Sequence, residues 1–158
     1  MGLIEIGNGE QCCSRTPFDA LMFFFPRIVA SLGDPSTIIS YLALETLQGT
    51  QVHHLRLQPP PPSQIDTTGA LSQIAVKDFY VDATTFLLVK IQDQAYRVDT
   101  TTDSLPHTIS FSNYQAVNGV LVPFALDETI DGIRVSHVEI SSLNFNVGLT
   151  DSAFDLTQ

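Results

Sequence analysis

The chain has 158 residues, 44% of them hydrophobic and 15% charged, which suits one domain with a packed core. Its 17 acidic and 7 basic residues give a formal net charge of -10. The basic residues (Arg15, Arg27, Arg56, Lys77, Lys90, Arg97, Arg134) are scattered, so the clustered Lys and Arg that nucleic acid or an anionic membrane patch would need are missing.

From the N-terminus, Met1-Gly2-Leu3-Ile4-Glu5-Ile6 has no basic flank or apolar core of a secretory signal, and position six lacks the Ser or Thr of a myristoylation site. The expectation is a chain that stays inside the cell or is the interior of a longer, processed precursor. Cys12 and Cys13 are adjacent, a spacing at which a mutual disulfide is hard to close, and no further Cys or His stands near enough for a metal. A free or partly buried thiol pair is expected.

Thr16-Pro17-Phe18-Asp19 is a helix start: Thr16 caps, Pro17 suits the first helical position and Asp19 favours the positive end. Phe18, Leu21, Met22, Phe25 and Val29 recur every three or four residues and form one apolar stripe, so residues 16–33 are predicted as a helix, kinked at Pro26 and ended by Gly33-Asp34-Pro35. The run from Ala20 to Phe25 is far shorter than the ~20 residues of a membrane helix, and no transmembrane span is expected.

Strand signals follow. Ile38 to Leu47 and Gln51 to Leu57, joined at Gln48-Gly49-Thr50, predict a hairpin over 38–58. Pro59 to Pro62 open a loop over 59–70, which could also serve as a polyproline ligand for a partner. An antiparallel meander is predicted over 71–146, with strands Leu71 to Val81, Phe86 to Tyr96, Thr108 to Ala116, Val120 to Ile130 and Ile133 to Asn146. Its turns fall at Asp82-Ala83-Thr84-Thr85, Asn118-Gly119 and Asp131-Gly132, the last two being strong hairpin dipeptides because both residues tolerate positive φ. Residues 147–158 form a tail. The predicted class is α+β, mainly β: a single domain over 1–158, built as an unclosed, curved antiparallel sheet of about seven strands with the helix packed on its concave face.

Chemistry is sparse. His53 and His54 are consecutive on a strand and point to opposite faces. Zinc-helix and nucleophile-elbow motifs are absent, Gly7-Asn8-Gly9 lacks the third glycine of a dinucleotide fingerprint, and the acidic residues are assigned mostly to turns (Asp34, Asp82, Asp131, Asp151). A hydrolase would need His107 or His137 beside a carboxylate and a nucleophile, and the pattern gives no sign of it. The expectation is a non-enzyme with no cofactor and no metal. Alternate strand positions instead give an apolar face containing Leu42, Leu44, Leu55, Leu57, Phe79, Val81, Leu88, Ile109, Phe111, Phe124, Leu126 and Phe145, which either lines a cavity for a hydrophobic ligand or is an ordinary filled core.

Tyr80-Val81-Asp82 with Thr85 and Leu87-Leu88-Val89-Lys90, Phe111-Ser112-Asn113-Tyr114, Gly119-Val120 with Pro123-Phe124, and Asn144, Asn146, Leu149, Asp151 and Phe154 carry a resemblance. Over about residues 38–155 the chain resembles the C-terminal portion of the bacterial lipoprotein carriers LolA and LolB and their outer-membrane lipoprotein-sorting-like relatives. The resemblance implies an unclosed barrel lidded by helices, a periplasmic or cell-envelope location, and an apolar cavity for lipoprotein acyl chains. With that cavity, the alternating apolar positions Leu44, Leu57, Phe79, Val81, Leu88, Phe111, Phe124 and Phe145 and, from the helix stripe, Phe25 are the candidate ligand-binding residues. Phe86 departs from the pattern, standing where the family's turn usually has Gly, and no counterpart of the family's N-terminal helix and first strands is expected in this chain. A shortened sheet exposes an edge, so a homodimer paired through that edge is expected. The alternative reading is a protein-interaction or structural β module with a filled core, recruiting its partner by that edge.

Overall fold

The computed structural model describes residues 4–6, 10–12, 38–58, 76–96, 103–145 and 148. Two short strands, β1 (Ile4–Ile6) and β2 (Glu10–Cys12), pair with each other. The main element is one seven-stranded sheet in which sequence order is spatial order: β3 (Ile38–Leu47), β4 (Thr50–Gln58), β5 (Lys77–Asp82), β6 (Leu88–Tyr96), β7 (Ser104–Val117), β8 (Val120–Ile130) and β9 (Ile133–Glu139). Every neighbouring pair is antiparallel, and among the described residues β3 does not pair with β9, so the sheet is open. This is the meander expected from the turn spacing. The helix expected over 16–33, and Phe25 with it, lie outside the described residues.

Three hairpins close through two-residue turns with both residues at positive φ, Gln48-Gly49 (50° and 87°), Asn118-Gly119 (51° and 83°) and Asp131-Gly132 (50° and 76°). Such turns match the right-handed twist of the strands they join. The β5–β6 turn is built differently. Asp82 Oδ1 accepts hydrogen bonds from the Thr84 and Thr85 amides (2.8 and 2.7 Å), the Asp82 carbonyl accepts from Phe86 N, and Phe86 is held at φ 58°. That is the left-handed region where glycine is least strained.

Strand ends moved relative to expectation. β7 begins at Ser104 and runs through Pro106, whose missing N–H argues against a strand start upstream of Thr108, whereas the Pro106 carbonyl accepts from Asp131 N. β6 begins at Leu88, because Phe86 belongs to the turn. β9 ends at Glu139 rather than Asn146, and Phe145 lies beyond it, outside any strand.

Directly paired residues share a face of the sheet. Leu55, Phe79, Ile91 and Ile109 stand opposite one another in sequence across β4 to β7, and Phe111 pairs with Leu126 and Leu126 with Val138. Phe79, Ile91, Ile109, Phe111 and Leu126 form the buried core, with Leu55, Leu57, Leu88, Tyr114, Val138 and Ile140 packed against it. The opposite face is polar, with His54, Tyr80, Lys90, Ser110, Asp127 and His137 aligned across β4 to β9.

A Cβ added at Gly119 would meet no atom within 4 Å, so any cost of Gly119→Ala comes from its φ of 83° alone. The expected loss is about 1 kcal/mol in a urea titration, from the left-handed penalty of an L-residue.

Candidate functional site

The apolar face carries a row of charges. Asp93 and His107 are direct partners on β6 and β7, Lys77 lies one residue beyond the Asp78–Gln92 pair on β5, and Glu128 stands opposite Ile109 on β8. Lys77 Nζ donates to Asp93 Oδ2, His107 Nδ1 is 2.5 Å from Asp93 Oδ1, and His107 Nε2 is 2.9 Å from Glu128 Oε1. Four strands thus contribute Lys77, Asp93, His107 and Glu128 to one chain of ion pairs. The Asp93, His107 and Glu128 side chains are almost fully buried.

Burial alone would lower the His107 pKa, but the hydrogen bonds and charges of Asp93 and Glu128 outweigh it and raise it to about 9. Burial would raise Asp93, and the His107 hydrogen bond and the Lys77 ammonium overcome that and hold it below its usual range. At neutral pH an imidazolium therefore faces a carboxylate at the His107–Asp93 pair. Beside the core, Tyr114 donates to the Leu88 carbonyl at 2.6 Å, and burial pushes its phenol up to about 12.

The polar face holds a second cluster. Arg56 grips Asp78 through two hydrogen bonds (2.7 and 2.8 Å), His54 stacks on Tyr80 at 4.4 Å with Nδ1 2.6 Å from Glu45, and Lys90 Nζ lies 3.7 Å over the Tyr80 ring. Further along, Asp127 accepts from both His137 and Arg134 (2.8 and 3.3 Å). Among the described residues no three His, Cys, Asp or Glu side chains are placed to hold a metal.

The nominated ligand-binding residues divide. Phe79, Phe111 and Phe124 are buried, and Leu57, Val81 and Leu88 are half-buried. Leu57 and Leu88 pack against the core, and Val81 shares the Phe79 face of β5. Leu44 lies on the edge strand β3, opposite His53, and is half exposed. A bulge between Tyr41 and Ala43 sets Leu42 out of register, so Tyr41 rather than Leu42 faces Leu55. The assignment of the carboxylates to turns fails for Asp78, Asp93 and Glu128, which lie on strands, and both His107 and His137 do stand beside carboxylates. The signal was present: Asp93 follows Ile91, His107 precedes Ile109, and Glu128 follows Leu126 at the apolar parity of each strand.

No protein-family model and no characterised protein sequence matches the chain. Solved structures do. An outer membrane lipoprotein-sorting protein domain from Vibrio parahaemolyticus matches with TM-score 0.52 and 20% identity over 76% of this chain and 46% of its own. A DUF1329 family protein from Desulfovibrio piger ATCC 29098 matches with TM-score 0.53 and 16% identity over 76% of this chain and 45% of its own. The open antiparallel sheet thus shares its fold with part of each of these structures, consistent with the resemblance to LolA and LolB. This chain spans less than half the length of either structure.

The ionic row makes stability pH-dependent at both ends. His107 is raised when folded, so its contribution is complete below its ordinary pKa of 6.5 and disappears as pH rises towards about 9. Asp93 is lowered, so its contribution is present above 3.8 and is lost as pH falls below that value. Melting temperature measured from pH 3 to 10 should fall on both sides, and Asp93→Ala, which strands His107 and Lys77 without their shared anion, should cost about 3 kcal/mol at pH 7.

Proposed function

We propose that this chain is a non-catalytic lipid-handling domain that takes a lipoprotein acyl chain, or an apolar ligand of similar shape, on the apolar face of its sheet in the bacterial cell envelope. The observation that carries this reading is the continuous patch of Phe79, Ile91, Ile109, Phe111 and Leu126 on an open sheet that shares its fold with a lipoprotein-sorting domain. Apolar side chains of this kind are what line a site for an apolar ligand. The ionisable clusters support the non-catalytic part, since each described histidine–carboxylate contact closes on a further ionic partner rather than on a Ser, Thr or Cys. No helix among the described residues is long and apolar enough to cross a membrane.

Mass spectrometry of solvent extracts from the purified protein should find acyl-chain lipid, and the stripped protein should take up a fluorescent acyl probe. Leu88→Gln and Leu57→Gln, at the rim of the core, should weaken uptake about tenfold by removing roughly 1.5 kcal/mol of apolar contact each. Asn118→Gly, in a remote turn, should not. Protein with no extractable lipid and no probe uptake would overturn the reading.

A second reading is favoured by one strand. Ile38, Ile39, Tyr41, Leu42 and Leu44 of β3 are 40 to 58% exposed, and among the described residues no strand pairs with its outer edge. A long apolar edge is a template for another strand, so the chain is proposed to self-associate through β3, as a homodimer. Light scattering should give a dimer that Leu44→Lys converts to monomer, and a strict monomer at high concentration would refute it.

A further inference from the structure

On the polar face, His54 is a buried imidazole set between two carboxylates and bonded to only one of them. Glu45 Oε1, from the edge strand β3, lies 2.6 Å from Nδ1. Asp78 Oδ1, from β5, lies 3.5 Å from Nε2, and among the described residues this buried nitrogen has no hydrogen-bond partner. The neighbouring charges have contacts of their own. Arg56, two residues along β4, holds both oxygens of Asp78, and Tyr80 stacks on the imidazole. Lys90 of β6 sits over the Tyr80 ring and donates to Gln92, while Asp82 turns its carboxylate into the β5–β6 turn. Burial would raise the Asp78 pKa, and the Arg56 guanidinium overcomes that and holds it below its usual range, so Asp78 meets Nε2 as an anion. A neutral imidazole has one N–H and one lone pair. With its proton on Nδ1 for Glu45, it leaves the Nε2 lone pair beside the Asp78 carboxylate, a buried acceptor without a donor.

We propose that His54 is a proton-operated clamp on the edge strand: once protonated it donates from Nδ1 to Glu45 and from Nε2 to Asp78, joining β3, β4 and β5 through one side chain. Glu45 is the only charged residue of β3, and among the described residues its contact with His54 is the one side-chain ion pair that ties that strand to the sheet. Glu45 accepts from a neutral donor when His54 is neutral and from a cation when it is protonated, and the second bond is the stronger. Fraying of β3 takes Glu45 away from the imidazolium, so protonation and closure of the strand favour one another. The apolar edge formed by Ile39, Tyr41 and Leu44 is therefore held more firmly as pH falls. The clamp belongs to a single chain and does not depend on whether two copies pair through β3.

Hydrogen–deuterium exchange of the full chain, read on β3 peptides by mass spectrometry at pH 5.5 and 7.5, tests the clamp once each rate is divided by its intrinsic value at that pH. β3 should be about tenfold better protected at pH 5.5, corresponding to about 1.4 kcal/mol. His54→Phe, which keeps a ring against Tyr80 but cannot be protonated, should lose the difference, and Glu45→Gln should lose most of it. His53→Gln should keep it, because His53 contacts Tyr41 on the other face of the sheet. Runs at low and high protein concentration separate any protection that comes from pairing between copies, which rises with concentration. Nitrogen-15 spectra should show the His54 ring protonated on Nδ1 at pH 7.5 and on both nitrogens at pH 5.5. Equal protection at the two pH values in the wild type, a difference that survives in His54→Phe, or an imidazole still neutral at pH 5.5 overturns the clamp. Should His54→Phe fail to fold, Glu45→Gln, at a side chain 44% exposed, decides: a difference as large as in the wild type overturns the proposal.

Discussion

Asp93 is the group on which the interior of this sheet depends. Its carboxylate sits among apolar side chains and is held ionised by Lys77 from one neighbouring strand and His107 from the other. Removing such an ion from water costs several kcal/mol, and the cost is met only if the partners stay in place. The antiparallel registers meet that condition: pairing Asp93 with His107 also pairs Ile91 with Ile109, and the β7–β8 register sets Glu128 opposite Ile109, within reach of the second imidazole nitrogen. A one-residue slip on either side of β6 would turn Ile91 to the polar face and leave the carboxylate without its cations. Ionic pairing and apolar packing therefore specify the same register.

The architecture was legible because its signals are local. Gln48-Gly49, Asn118-Gly119 and Asp131-Gly132 each place two residues at positive φ between alternating strands, and nothing distant is needed to read them. The buried Phe79, Phe111 and Phe124 follow from the same alternation. What failed to show depends on position across strands. The β3 bulge that moves Leu42 has no mark in the sequence, and Leu44 follows the apolar pattern yet lies on an edge where half of it stays exposed. The ionic row was readable in part, since Asp93, His107 and Glu128 occupy apolar parity, but only the register reveals that three breaks in three strands are one structure.

The two faces manage charge in different ways. On the polar face the Arg56–Asp78 pair is bidentate and partly solvated, and the Tyr80 ring is flanked by His54 and Lys90, so each charge has water or a π-face as a second partner. On the apolar face the ions have each other. Such a row is geometrically brittle: loss of one member leaves its neighbours charged in a medium that solvates them poorly, which is why exposed pairs such as Arg134–Asp127 matter far less to the fold.

A hydrophobic row in place of these four residues would be expected to stabilise the sheet at least as well, since buried ion pairs seldom exceed well-packed apolar groups of similar volume. Stability alone therefore gives no reason for them. What four apolar residues would lack is specificity of partner: each charge of the row is compensated only while its strand keeps the observed register. The row thus ties the β5 to β8 strands to one register, which apolar packing alone would fix only through side-chain fit.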